Sequence, residues 1–278
     1  MRKNTLLGEL CAEFAGTMIL ILFGTAVVAQ VVTTSGTKAP AGEHDAIAWS
    51  WGIGVTLGIY VAARLSGGHL NPAVTLALAT FKGFEWRKVA PYISAQFLGA
   101  FVAAIIVRFT YSDLIASVDP GHTIKTQGIF STLPGNGAYK VGITNAFFDQ
   151  VVGTAILVFV VFALTTMTNN PPLSNLGPVV VGLLVVGIGM AWGVNAGYAI
   201  NPARDFGPRL ATLVTGYGGA LKDQNGTLYF WVPIIGPILG GLIGGGLFQL
   251  LIESHLPEDD DEDPPVGEPE ENARTDNA

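Results

Sequence analysis

Two asparagines 130 residues apart, Asn71 and Asn201, each open the same tripeptide, Asn71-Pro72-Ala73 and Asn201-Pro202-Ala203. Asparagine is a strong helix N-cap, and proline is favoured at the first helical position, so each tripeptide predicts a helix start. A capping asparagine accepts a backbone N–H on its side-chain oxygen, which leaves its amide NH2 to donate elsewhere. Two helix starts brought together would also concentrate about half a positive charge each at one point. A water molecule at that point presents its oxygen and turns both hydrogens away, which breaks a proton wire. Arg204 follows the second tripeptide directly and adds a full charge with donors only. This chemistry orients neutral polar molecules and repels cations. It carries no nucleophile and no acid–base pair, and the apolar segments hold no Ser/His/Asp set, metal-ligand cluster or phosphate loop.

The elements that must position these groups are apolar. Half of the 278 residues are hydrophobic, only 13% are charged, and the mean hydropathy is +0.48. A soluble domain carries about 25% charged residues. The net charge of −7 misleads, because residues 257–278 hold ten acids and one base. The remaining residues carry a net charge of +2. Six apolar segments, Leu6–Val32, Ile47–Leu65, Val89–Phe109, Thr144–Thr166, Val179–Ala196 and Tyr229–Ile252, each suit one membrane span of about 20 residues. Glu9 and Glu13 interrupt the approach to the first segment, so it reads as an uncleaved span rather than a signal peptide. The single cysteine, Cys11, allows no intrachain disulfide. Glycines recur every four residues at Gly54 and Gly58, at Gly189 and Gly193, and at Gly236, Gly240 and Gly244. That spacing predicts close helix–helix approach within a bilayer.

The chain repeats itself. Gly16-Thr17 and Gly153-Thr154 echo each other at an offset close to that of the tripeptides. Three spans separate corresponding points, so the halves must be inverted. The apolar stretch after Asn71 ends near Lys82, which is about ten residues or roughly 15 Å of helix. That is half of a ~30 Å hydrocarbon core. Backbone broken at such depth is tolerated where it is buried or lines a wet cavity. The fold class expected is therefore all-α membrane: six transmembrane helices plus two re-entrant half-helices in an inverted 3+3 repeat. Residues 1–112 form the first repeat, with a half-helix from Asn71. An extracellular loop spans 113–142, the second repeat spans 143–253 with a half-helix from Asn201, and 254–278 is an acidic, disordered cytoplasmic tail. The centre of a pore is expected at Asn71 and Asn201.

These motifs resemble the signature of the aquaporin superfamily, or major intrinsic proteins, over about residues 6–253. Ser66–Thr75 and Gly197–Arg209 look most like the glycerol-facilitator branch. The resemblance implies a passive channel, not an enzyme, for glycerol, other small neutral solutes and water. It implies a homotetramer in the lipid bilayer with a pore in each protomer, no cofactor or metal, and no nucleic-acid partner. It also implies the inner cell membrane with both termini cytoplasmic. The basic clusters Arg2-Lys3 and Lys82, Arg87, Lys88 favour that orientation only narrowly. By resemblance, Trp51, Gly189 and Tyr198 form a selectivity filter with Arg204. Gly189 leaves room where water-selective relatives carry histidine, and Tyr198 stands where many bacterial facilitators have phenylalanine. An arginine at mid-membrane costs about 2.5–3.5 kcal/mol, so Arg204 is expected to face the lumen and have a function. His69 is expected to line the pore. Asp205 is expected to have a structural role, pairing with Arg209 one turn on. Glu13 and Gln150 occupy matching places where the family usually has two glutamates, and Asp149 is an alternative acceptor beside Gln150. His44, His122 and His255 lack ligand spacing and receive no site. A water-selective channel and a proton-coupled transporter are the rival readings. The transporter would need a titrating carboxylate at its substrate site, for which Glu13 is the candidate.

Overall fold

A computed structural model describes residues 5–257, so the acidic tail from residue 258 lies outside the described residues. The described chain is helical: α1 Leu6–Thr34, α2 His44–Ser66, α3 Pro72–Phe81, α4 Trp86–Thr110, α5 Ser112–Val118, α6 Ile124–Gln127, α7 Ile143–Thr165, α8 Gly177–Ala196, α9 Pro202–Val214 and α10 Val232–Leu251. Six of these, α1, α2, α4, α7, α8 and α10, are long and apolar enough to cross a membrane. Their ends fall within a few residues of the apolar segments read from the sequence.

The order α1-α2-α3-α4 recurs as α7-α8-α9-α10. Within each half the first span packs on the other two, α1 on α2 and α4, α7 on α8 and α10. The half-helices then cross over. α3 packs mainly on α10 and α9 mainly on α4, so each short helix is walled in by the last span of the other half. Two of the three glycine stripes make the close approaches. A Cβ on Gly58 would lie 2.6 Å from the Gly16 carbonyl oxygen of α1. On α10, Cβ atoms at Gly240 and Gly244 would run into the Val151 and Ala155 carbonyls of α7. Without a hydrophobic drive between helices in lipid, this backbone proximity supplies the contact.

The α4–α7 connection is more than an exposed loop. It carries α5 and α6, and its stretch 126–135 is almost wholly buried against the rest of the protein. Thr132 is the anchor: its backbone N–H and hydroxyl both donate to Asp205 of α9, at 2.6 and 2.7 Å. Asp205 also accepts from Arg209 Nε at 2.8 Å. The other two nitrogens of Arg209 donate to the carbonyls of Ala220 and Thr132, each at 2.7 Å. Both members of this ion pair are fully buried. Breaking one partner of such a pair leaves the other charge uncompensated, at about 3–5 kcal/mol.

At the end of the bundle holding both described termini, Lys88 bridges Glu9 at 3.1 Å, and Lys82, the C-cap of α3, pairs with Glu253. Replacing Gly244 by valine should force α7 and α10 apart, at a cost of about 1–3 kcal/mol or more. Folded yield in mild detergent should fall for Gly244→Val and hold for Gly187→Ala, whose Cβ would meet nothing within 4 Å. Equal yields would contradict the packing described.

Candidate conduction path

Each half-helix is entered by the same backbone device. Gly67 and Gly197 close α2 and α8 in the left-handed region, with φ of 87° and 71°. Three residues later Leu70 and Ile200 are also left-handed, at φ 53° and 46°. That conformation costs a non-glycine residue on the order of 1–3 kcal/mol and persists only where its surroundings hold it. Asn71 then caps α3, accepting the Ala73 N–H at 2.9 Å, and Asn201 caps α9, accepting the Ala203 and Arg204 N–H groups at 2.9 and 3.2 Å.

The strained carbonyls are used across the repeat. Asn71 Nδ2 donates to the Ile200 carbonyl and Asn201 Nδ2 donates to the Leu70 carbonyl, both at 2.8 Å. The sequence alone leaves each amide wholly free for the lumen. In the structure one N–H of each NH2 is engaged by the opposite half, and one remains.

Two buried side chains hold these turns. Glu13 accepts from Ser66 Oγ, His69 N, Leu70 N and Gln96 Nε2, at 2.6 to 2.9 Å. Gln150 does a different job in the second half: its Oε1 accepts the Ile200 N–H at 3.0 Å and its Nε2 donates to the Ala196 carbonyl at 2.8 Å. A partner set of one donor and one acceptor suits an amide better than a carboxylate. Asp149 does not substitute. One of its oxygens accepts from Asn195 at 3.3 Å and the other has no partner.

Trp51, Gly189, Tyr198 and Arg204 come together between α2, α8 and the start of α9. The Trp51 ring sits where a Cβ on Gly24 of α1 would be, so that glycine admits it. The Arg204 guanidinium carbon stands 3.9 Å over the centre of the Trp51 ring, a cation–π contact. A Cβ on Gly189 would lie 2.9 Å from Tyr198 Cζ, so the room that glycine leaves is filled by the tyrosine ring. Trp51 Nε1 and Tyr198 Oη are buried without a partner. Among the described residues, the guanidinium donors of Arg204 also have no hydrogen-bond partner, while Asp205 beside it faces away into the Arg209 network.

The structure also brings in two residues that the sequence did not single out. His44 Nε2 lies 2.9 Å from the Gly189 carbonyl oxygen, 145 positions away. Thr132 fixes α9 through Asp205. Neither contact leaves a local sequence signal. The buried run at 126–135, with Ile129, Phe130 and Leu133, carried a weak apolar one.

A cavity of about 470 Å³ links these groups. It runs from Trp51, Tyr198 and Arg204 past Asn71 and Asn201 to Thr165 and Asn175 at the end of the bundle near the described termini. Much of its wall is aliphatic, including Val55, Ile59, Leu157, Val161 and Val185. His69 lines it beyond the asparagines, with Nδ1 3.2 Å from Thr75 Oγ1 and its ring packed near Phe84 and Tyr92. Among the described residues, no aspartate or glutamate lines the cavity, and no group of three His, Cys, Asp or Glu side chains is placed to hold a metal.

An inverted six-span bundle, broken at mid-depth around a lined cavity, defines a membrane channel. The chain belongs to the major intrinsic protein family, whose model matches residues 1–248. It is 44% identical over 250 residues to a probable aquaglyceroporin-2 of Gibberella zeae, covering 87% of this chain and 71% of that one. It is also 44% identical to the glycerol uptake facilitator protein of Pseudomonas aeruginosa, covering 91% of each chain. The aquaglyceroporin of Plasmodium falciparum, solved by X-ray, superposes with a TM-score of 0.79 at 30% identity, over 89% of this chain and 97% of that one.

Glu13→Gln should be destabilising by about 1–3 kcal/mol, because the new amide NH2 meets a donor where the carboxylate accepted one. Thermal unfolding in detergent checks this. An unchanged midpoint would mean that the four donors do not depend on the charge.

Proposed function

We propose that the chain is a passive channel that conducts glycerol and other small neutral solutes, with water, and rejects ions and protons. The observation that carries this reading is the set of unpaired polar groups around Trp51, Tyr198 and Arg204, set against aromatic faces at one end of an aliphatic-walled cavity. The names of the relatives, aquaglyceroporin and glycerol uptake facilitator, support it.

A glycerol molecule has a C–H side and a hydroxyl side. At the filter its carbon backbone lies against the aromatic rings, and its hydroxyl oxygens accept from Arg204 and Trp51 Nε1. Tyr198 Oη can also accept, so it returns a bond for a hydroxyl hydrogen. Unpaired polar groups in a site discriminate strongly, since a solute that cannot satisfy them leaves them desolvated. Deeper in the cavity the remaining N–H of Asn71 and of Asn201 turns each passing oxygen inward. The two helix starts and the guanidinium make this stretch positive, which repels hydronium and metal cations. Among the described residues no aspartate or glutamate lines the cavity, so a proton-coupled cycle lacks the carboxylate it would need there. A homotetramer in the inner cell membrane, with both termini cytoplasmic and His69 towards that side, completes the reading. The close stack of Arg204 on Trp51 favours a second reading, a channel narrow enough for water only.

Three outcomes test this. Proteoliposomes mixed with a glycerol gradient should shrink rapidly and then re-swell fast, unlike empty vesicles. Shrinkage without faster re-swelling would leave the water-only reading standing. Gly189→His should push the Tyr198 ring into the lumen and cut glycerol flux by roughly tenfold or more, the effect of ~1.4 kcal/mol on a barrier, while sparing water. Unchanged glycerol flux would refute the filter assignment. Arg204→Val should admit cations or protons, read as vesicle conductance; tight exclusion in that variant would move the barrier elsewhere.

A further inference from the structure

The third glycine stripe faces α2 through side chains rather than backbone. A Cβ on Gly193 would lie 2.7 Å from His44 Nε2 and 3.4 Å from Tyr198 Cδ1, while one on Gly189 would meet Tyr198 Cζ and, at 3.2 Å, the Cβ of Ala48. The His44 and Tyr198 rings therefore both border the space that Gly193 leaves bare on α8. His44 is the first residue of α2, and Ala48 and Trp51 follow four and seven residues on, along the same helix face. One face of α2 thus presents His44, Ala48 and Trp51 in a column beside the filter.

The two rings are held differently. A carbonyl only accepts, so His44 Nε2 carries the hydrogen in its 2.9 Å contact with the Gly189 oxygen. The carbonyl one turn on, that of Gly193, takes an N–H from Asn136 of the α4–α7 connection at 3.2 Å. Tyr198 has no bond to its hydroxyl and sits at φ 34°, a conformation rare outside glycine. Packing, not hydrogen bonding, fixes its ring, and His44 borders the same slot at Gly193.

We propose that His44 is a positioning residue that sets the solute-size cutoff of the filter by backing the Tyr198 ring and fixing the Gly189 carbonyl. This rests on the reading of Tyr198 and Arg204 as the filter. Without the imidazole, the tyrosine ring leans back into the vacated volume and the passage widens. The change favours a four-carbon polyol over glycerol, because the longer solute is the one held back by the wall.

The experiment compares wild type, His44→Ala and His44→Gln in proteoliposomes, reading water, glycerol and erythritol flux in each. In His44→Ala the erythritol-to-glycerol ratio should rise by about threefold or more, part of the ~10-fold or greater discrimination a pocket wall provides per methylene. Water flux should persist. His44→Gln, which returns a donor to the Gly189 carbonyl, should bring the ratio back towards wild type. An unchanged ratio in His44→Ala overturns the proposal. So does a parallel loss of all three fluxes, which would make His44 a folding residue only, and so does a ratio in His44→Gln no closer to wild type than in His44→Ala. Failure of the wild type to pass glycerol would instead sink the functional reading, and it is read before any variant is compared.

Discussion

Two reciprocal hydrogen bonds where the half-helices begin hold the rest of the structure in register. Asn71 reaches the carbonyl of Ile200, and Asn201 reaches the carbonyl of Leu70. Each bond needs a backbone turned into the left-handed region just before the opposite asparagine. Each turn needs a buried side chain to hold the following amides. Neither half can make this arrangement alone, because each asparagine amide finds its acceptor in the other half. The inverted repeat is therefore a physical requirement at this point as well as a record of duplication.

The halves are similar in backbone and unequal in chemistry. Glu13 gathers four donors in the first half, while Gln150 serves one donor and one acceptor in the second. The second half also carries the additional Arg204, Asp205 and Arg209 layer, tied to the α4–α7 connection through Thr132. A loop far away in sequence thus holds the helix that presents Arg204. The division of labour follows from geometry: consecutive residues on a helix point in different directions, so Arg204 can face the lumen while Asp205 faces the protein.

Much of this was legible in the sequence. Apolar length gave the six spans, Asn-Pro gave both half-helix starts, and Lys82 marked the end of α3 as expected. The i, i+4 spacing of Asp205 and Arg209 announced their pair. Contacts between distant segments left no such trace. The engagement of each asparagine amide, the burial of residues 126–135 and the His44–Gly189 contact depend on how loops meet, which periodicity does not encode. The Gly189–Gly193 stripe looked like the other two stripes, yet it accommodates rings rather than a helix backbone. Spacing reports that a face is bare, and only packing decides what covers it.

The proposed channel passes neutral solute and stops protons. The most direct measurement follows glycerol uptake and internal pH together, in proteoliposomes carrying an entrapped pH-sensitive dye under an imposed pH gradient. Passive permeation predicts glycerol entry at a rate independent of that gradient, with a proton leak equal to that of empty vesicles. Proton movement that tracks glycerol entry would contradict it and would require a titrating group on the path.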